Sequence, residues 1–237
     1  MKYFLFLLVV FIAVIAFEYY LTRQRITIGV GLAQSAIPFE REGTGLKILV
    51  IGDSTVVGTG ASSAEQSIAG LVGKTFPEAT IVNQGVNGAK VNDLIDRLEE
   101  LDDHFDLVMV HIGGNDILRF TDYGQLGLGI DKVLDLAKEK GDKVTLTTTG
   151  NMGTARLLPF GTRWIFEKRT RKVREIFKPM AEKKGVFYVD LFREKPVDPF
   201  AQDPGKYYAA DSFHPSDEGY ADWYTIIEPR VQTAIAN

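Results

Sequence analysis

The sequence predicts an α/β fold: a three-layer α/β/α sandwich around a five-stranded parallel sheet, preceded by an N-terminal apolar helix. Three observations carry that expectation. From residue 46 onward, short apolar runs rich in β-formers alternate with longer stretches of helical pattern, as strands covered on both faces by helices do. Gly, Asn and Asp cluster directly after the apolar runs, where loops at a sheet edge belong. The 237 residues, 45% hydrophobic and 24% charged, suit one domain with its own core plus an extension.

In chain order, residues 1–25 read as a membrane anchor or signal segment. Lys2 precedes an uncharged run from Tyr3 to Phe17, which Glu18 interrupts and Tyr19, Tyr20 and Leu21 extend. About 20 helical residues span a hydrocarbon core. The run therefore crosses a membrane if Glu18 sits at the interface, with Tyr19 and Tyr20 in the interfacial belt and Arg23 and Arg25 just beyond. The expectation is an uncleaved anchor with the folded domain on the extracytoplasmic side. The alternative is a signal peptide cut near Ala16, where Val14-Ile15-Ala16 offers a suitably small residue. Residues 26–45, with Gly29, Gly31, Pro38, Gly43 and Gly45, read as a linker or arm, and the domain then occupies 46–237.

Within the domain the strands are expected at 47–51, 80–83, 107–112, 144–149 and 186–190. The helices are expected at 66–76, 91–101, 125–140, 163–184 and 216–236. Ser216 stands where an N-cap is wanted, and Gly141 and Gly185 stand where C-terminal glycines end helices. In an open parallel sheet, ligands bind outside the carboxyl ends of the strands, so the loops there are where chemistry is sought.

Composition removes several classes. A net charge of −4 without a concentrated basic patch argues against a nucleic-acid partner. The absence of cysteine excludes disulfides, thiolate zinc sites and a cysteine nucleophile. Of the three histidines, His111 falls within a strand as a packing or hydrogen-bonding residue, and His104 reads as a surface residue. No HExxH pattern occurs, and neither a metal nor a cofactor is expected. Gly73-Lys74-Thr75 resembles the end of a phosphate loop but lacks the leading glycine at Ile68, and Gly29-Val30-Gly31 lacks a third glycine at Gln34.

The strand-end loops are richer. Gly52-Asp53-Ser54 follows the first strand, the glycine-rich loop Asn83 to Gly88 follows the second, and Gly113-Gly114-Asn115-Asp116 follows the third. Asp211 and His214 come after the fifth. Each alone has a bland reading as turn or cap chemistry. Together they supply a hydroxyl, a base to activate it and a carboxylate to orient the base, which is what a serine nucleophile needs at neutral pH.

In that combination residues 46–235 resemble the SGNH hydrolase family, also called the GDSL family. The marker residues are Ser54, Gly85, Asn115 and His214, with Asp211 as the acid; Thr55 stands where the namesake motif has Leu. The resemblance implies a flavodoxin-like SGNH hydrolase fold and hydrolysis of carboxylic esters, lipolytic or acetyl, through an acyl-enzyme intermediate. It implies Ser54 as nucleophile, His214 as base, and an oxyanion hole formed by the Ser54 and Gly85 N–H groups with the Asn115 side chain. Acyl transfer by the same residues, or a membrane-tethered binding domain with a dead site, are the alternatives. The stretch with Met152, Leu157, Leu158, Pro159, Phe160 and Trp164 either lines an acyl pocket or packs as core. Lys168, Arg169, Arg171, Lys172 and Arg174 either meet anionic lipid or form a solvated helix face.

Overall fold

The computed structural model describes residues 2–236. Five strands, β1 (Lys47–Gly52), β2 (Thr80–Gly85), β3 (Phe105–His111), β4 (Gly141–Thr147) and β5 (Phe187–Val189), form one parallel sheet in the order β2-β1-β3-β4-β5. The helices are α1 (Lys2–Ser35), α2 (Ser54–Val57), α3 (Ile68–Thr75), α4 (Asp93–Glu99), α5 (Gly114–Leu118), α6 (Tyr123–Lys140), α7 (Arg163–Lys184), α8 (Pro199–Gln202), α9 (Pro204–Tyr207) and α10 (Asp217–Ala236). β1 lies between β2 and β3, so the chain leaves it in opposite directions and the crevice of the fold opens between the carboxyl ends of β1 and β3.

The strands form where expected because their apolar runs are continuous. Ile48, Leu49, Val50 and Ile51 of β1 are fully buried, as both faces of a covered parallel sheet require. Each such side chain stabilises the fold by roughly 1.5–3 kcal/mol. The helices add one apolar face each. In α6 the buried positions Leu126, Ile130, Val133, Leu134 and Ala137 recur at helical spacing, and Asp122 caps its start by accepting from the Gly124 and Gln125 N–H groups. The Ser216 hydroxyl accepts from Gly219 N and caps α10.

Two expectations are corrected. Gly141 and Gly185 both end their helices, but only Gly185 does so in the left-handed conformation; Gly141 follows α6 with φ −153° and is at once the first residue of β4, pairing with Phe105. That pairing also starts the strand three residues before its apolar run. The second correction concerns residues 26–45. Helix α1 runs without a break to Ser35, so the first half of the supposed linker is helix. Its apolar beginning is exposed throughout and is long and apolar enough to cross a membrane. From Glu18 onward one stripe becomes half-buried against the domain: Glu18, Leu21, Thr22, Arg25, Gly29, Leu32 and Ala33. Docking explains why Gly29 and Gly31 do not break the helix. After it, Arg41 pairs with Ile81 on the outer edge of β2, and its guanidinium donates to the Gly73, Phe76 and Ala79 carbonyls, so the arm is pinned.

Candidate active site

Ser54 is the first residue of α2, delivered at the carboxyl end of β1 and only slightly exposed. Asp53 caps that helix: its Oδ1 accepts from Thr55 N at 3.0 Å and from the Thr55 hydroxyl at 2.7 Å. The residue that departs from the namesake motif thus holds the turn through its hydroxyl. Burial pushes the Asp53 carboxyl above its ordinary range, opposed by these two donors. Across the crevice, His214 Nε2 lies 3.0 Å from Ser54 Oγ. His214 Nδ1 lies 2.5 Å from Asp211 Oδ2, while Asp211 Oδ1 accepts from Phe213 N and His214 N at 3.0 Å each. A left-handed Ser212, φ 58°, folds the loop so that the two ends of this tripeptide spacing meet. The hydroxyl, imidazole and carboxylate therefore form one hydrogen-bonded chain.

The donors around Ser54 divide. Among the described residues nothing accepts from the Ser54 N–H at the start of α2. Asn115, on α5 beyond β3, donates through Nδ2 to Ala89 O at 3.1 Å, which fixes the amide and leaves its second hydrogen for the crevice. Gly85 does not join them. Its N–H donates to Asn83 Oδ1 at 2.9 Å, and a Cβ there would meet Val57 N at 2.5 Å, so the residue is packed beneath α2 with its donor occupied. Gly88, three residues later, differs in both respects. Its φ of +81° suits glycine, and among the described residues nothing accepts from its N–H. The Asn87-Gly88 dipeptide, a turn signal, was the clue available in the sequence.

The GDSL-like lipase/acylhydrolase family model matches residues 50–221, which hold all of these groups. The chain belongs to that family. It is a hydrolase of ester bonds on an SGNH-type α/β fold. No curated protein sequence matches this GDSL hydrolase, but its fold recurs in solved structures. A lipolytic protein of the G-D-S-L family from Veillonella parvula superposes with a TM-score of 0.63 at 20% identity, covering 78% of this chain and 97% of the other. An acetyl xylan esterase from Geobacillus stearothermophilus gives 0.57 at 22% identity, covering 80% and 96%. A psychrotrophic esterase from Pseudoalteromonas gives 0.59 at 14% identity, covering 81% and 100%.

Beside Ser54 the hydrolase has a cavity of about 50 Å³, walled by Met152, Leu191, Phe200, Tyr208, Phe213 and Trp223. Only Met152 of the stretch expected to line an acyl pocket is among them. Leu158 is core, and Phe160 and Trp164 face outward. The other walls come from the segment after β5 and from α10. Asp198 also reaches the cavity; burial pushes its carboxyl up to about 6, while it caps α8 by accepting from Phe200 N. His111 ends β3 behind this wall. Its ring packs 5.7 Å from Trp223, and burial lowers its pKa to about 4, so it is a neutral packing residue. His104 is exposed beside Asp142.

Proposed function

We propose that this hydrolase is a membrane-anchored serine esterase that removes short acyl groups, acetyl foremost. The hydrogen-bonded chain from Ser54 Oγ through His214 to Asp211 carries the proposal. Ser54 Oγ attacks the ester carbonyl as His214 Nε2 takes its proton; the same nitrogen then protonates the departing alcohol. Water, activated by His214, cleaves the acyl-enzyme. Asp211 holds the imidazole in the tautomer with Nδ1 protonated and stabilises the imidazolium that forms. The oxyanion that develops on the carbonyl oxygen is met by the Ser54 N–H, the Asn115 amide and, in place of Gly85, the Gly88 N–H.

The cavity supports a small acyl group. A water needs about 10–15 Å³ of such volume, so 50 Å³ beside Ser54 admits roughly four water-sized groups, room for an acetyl. The likeness to an acetyl xylan esterase fold agrees with that size. The exposed apolar start of α1 supports an anchor; the extracytoplasmic side for the catalytic domain is part of the same proposal. Fluorophosphonate labelling tests the nucleophile: the full chain should be labelled at Ser54, and Ser54→Ala should not be. A series of nitrophenyl esters tests the acyl group, with acetate expected to be cleaved fastest. A preference for long acyl chains would defeat the short-acyl reading while leaving the serine mechanism intact.

A further inference from the structure

Helix α1 leaves its uncharged run at Glu18, and the part of the domain beside it at that level is the loop after β4. Glu18 acts electrostatically on Arg163, and the Arg25 guanidinium donates to the Arg156 carbonyl. That loop and the first turn of α7 carry two large aromatic side chains on their outside, Phe160 at 76% and Trp164 at 58% exposure. Each has a cation above it: Arg163 lies 5.7 Å from the Phe160 centroid, and Lys168 Nζ lies 5.6 Å from that of Trp164. Scattered exposed aromatics need no explanation, but these two stand together beside the emerging anchor. Indole and phenyl rings with cationic neighbours are the chemistry of the bilayer interface.

The charges sort in the same way. Along α7, Arg169 donates to the Ile117 and Thr121 carbonyls, Arg171 pairs with Glu167 and Glu194, Lys172 with Glu175 and Arg174 with Asp190. Four of the five basic residues expected to meet lipid are thereby engaged within the fold. Arg23, Arg156 and Lys168 make no ion pair among the described residues, and all three are exposed around the same loop and anchor.

We infer that the loop bearing Arg156 and Phe160, with Arg163, Trp164 and Lys168 at the start of α7, is a foot that seats the domain on anionic lipid headgroups. This rests on reading α1 as a membrane anchor. It sets the working height of the site. Gly29 of α1 lies against the Asp211 carboxylate, and the eleven residues from Glu18 to Gly29 rise about 16 Å at 1.5 Å each. Seated there, Ser54 meets esters borne on polar material standing out from the membrane, such as carbohydrate or headgroup, rather than acyl esters at the glycerol level.

The chain has two tryptophans, and Trp223 is buried in the core, so Trp164 alone can report contact with lipid. The test reconstitutes the full chain in phosphatidylcholine–phosphatidylglycerol vesicles with and without brominated acyl chains. Loss of tryptophan emission in the brominated vesicles is expected, and it should disappear in Trp164→Phe. Vesicles of phosphatidylcholine alone should quench less. Co-flotation with vesicles but no quenching would overturn the foot and leave the anchor standing. Failure to co-float would overturn both.

Discussion

Substituting Gly29 tests whether α1 takes part in the chemistry it passes over. A Cβ at this position would lie 3.0 Å from Asp211 Oδ2, 3.5 Å from its Cβ and 3.7 Å from its Cγ. The carboxylate has little freedom to withdraw. It is almost wholly buried, Oδ2 is held by His214 Nδ1 and Oδ1 by two backbone N–H groups. Gly29→Ala therefore asks for a few tenths of an ångström from a carboxylate that orients the base. Gly29→Val adds bulk that either displaces it or lifts the helix and admits water. Misplacement by about 1 Å costs on the order of 100-fold in rate, so Val should approach that loss in kcat and Ala should lose less than about tenfold. KM should change little, because no α1 residue lines the cavity. The assay is steady-state hydrolysis of nitrophenyl acetate across pH, with fluorophosphonate labelling rates as a second readout of nucleophile activation. A Gly29→Val enzyme with wild-type kcat and an unchanged pH profile would refute the claim that α1 constrains the carboxylate.

Asn115→Ala should lower kcat by roughly two to three orders of magnitude, about 3–4 kcal/mol of barrier, with the melting temperature nearly unchanged. Gly88→Ala should lower kcat at a cost of about 1–2 kcal/mol in stability for its left-handed backbone, whereas Gly85→Ala should destabilise more, since its Cβ would meet Val57 N at 2.5 Å; chemical unfolding measured beside turnover separates the two. The folded state holds the Asp198 proton up to about pH 6, against an ordinary carboxyl value of 3.8, so this contribution to stability is present below about pH 4 and lost as pH rises through 6. Asp198→Asn should consequently gain up to about 3 kcal/mol relative to wild type between pH 4 and 7, at about 1.36 kcal/mol per unit. His111 has the opposite sign: its pKa is lowered from 6.5 to about 4, so stability is lost as pH falls through that window, and His111→Phe should blunt that acid loss in urea titrations at pH 4.5 and 7.

The layers were legible because β1 and β3 are apolar runs and α6 and α7 keep one apolar face, patterns that burial alone imposes. Ser54, Asn115, Asp211 and His214 were legible because each directly follows a strand or shares a short loop. Choosing between Gly85 and Gly88 was not possible from residue types. It depends on φ and on which N–H Asn83 occupies, both set by packing under α2. Phe200 and Trp223 were hidden for a related reason: they reach the cavity from segments whose spacing reports only helix or loop. In α1, glycine disfavours an isolated helix by about 1 kcal/mol, so Gly29 and Gly31 argued for a linker. What the sequence could not display is the surface that makes a residue without a side chain useful at Gly29.

That surface separates two questions that the N-terminus otherwise entangles. Cleavage near Ala16 would remove most of the apolar run, yet it would leave the half of α1 that lies on the domain, including Gly29 against Asp211 and Ala33, whose carbonyl accepts from Asn87 Nδ2 at 3.0 Å. Asn87 Oδ1 in turn accepts from Thr59 on the loop after α2, so α1 braces the nucleophile side of the crevice as well as the carboxylate. Anchored and cleaved forms should then share one kcat and differ in where they act. A chain beginning at residue 17 should keep wild-type turnover on nitrophenyl acetate in solution, whereas one beginning at residue 36 should lose it, with Asp211 opened to water. Equal activity in both truncations would mean that the helix attaches the enzyme and contributes nothing to its chemistry.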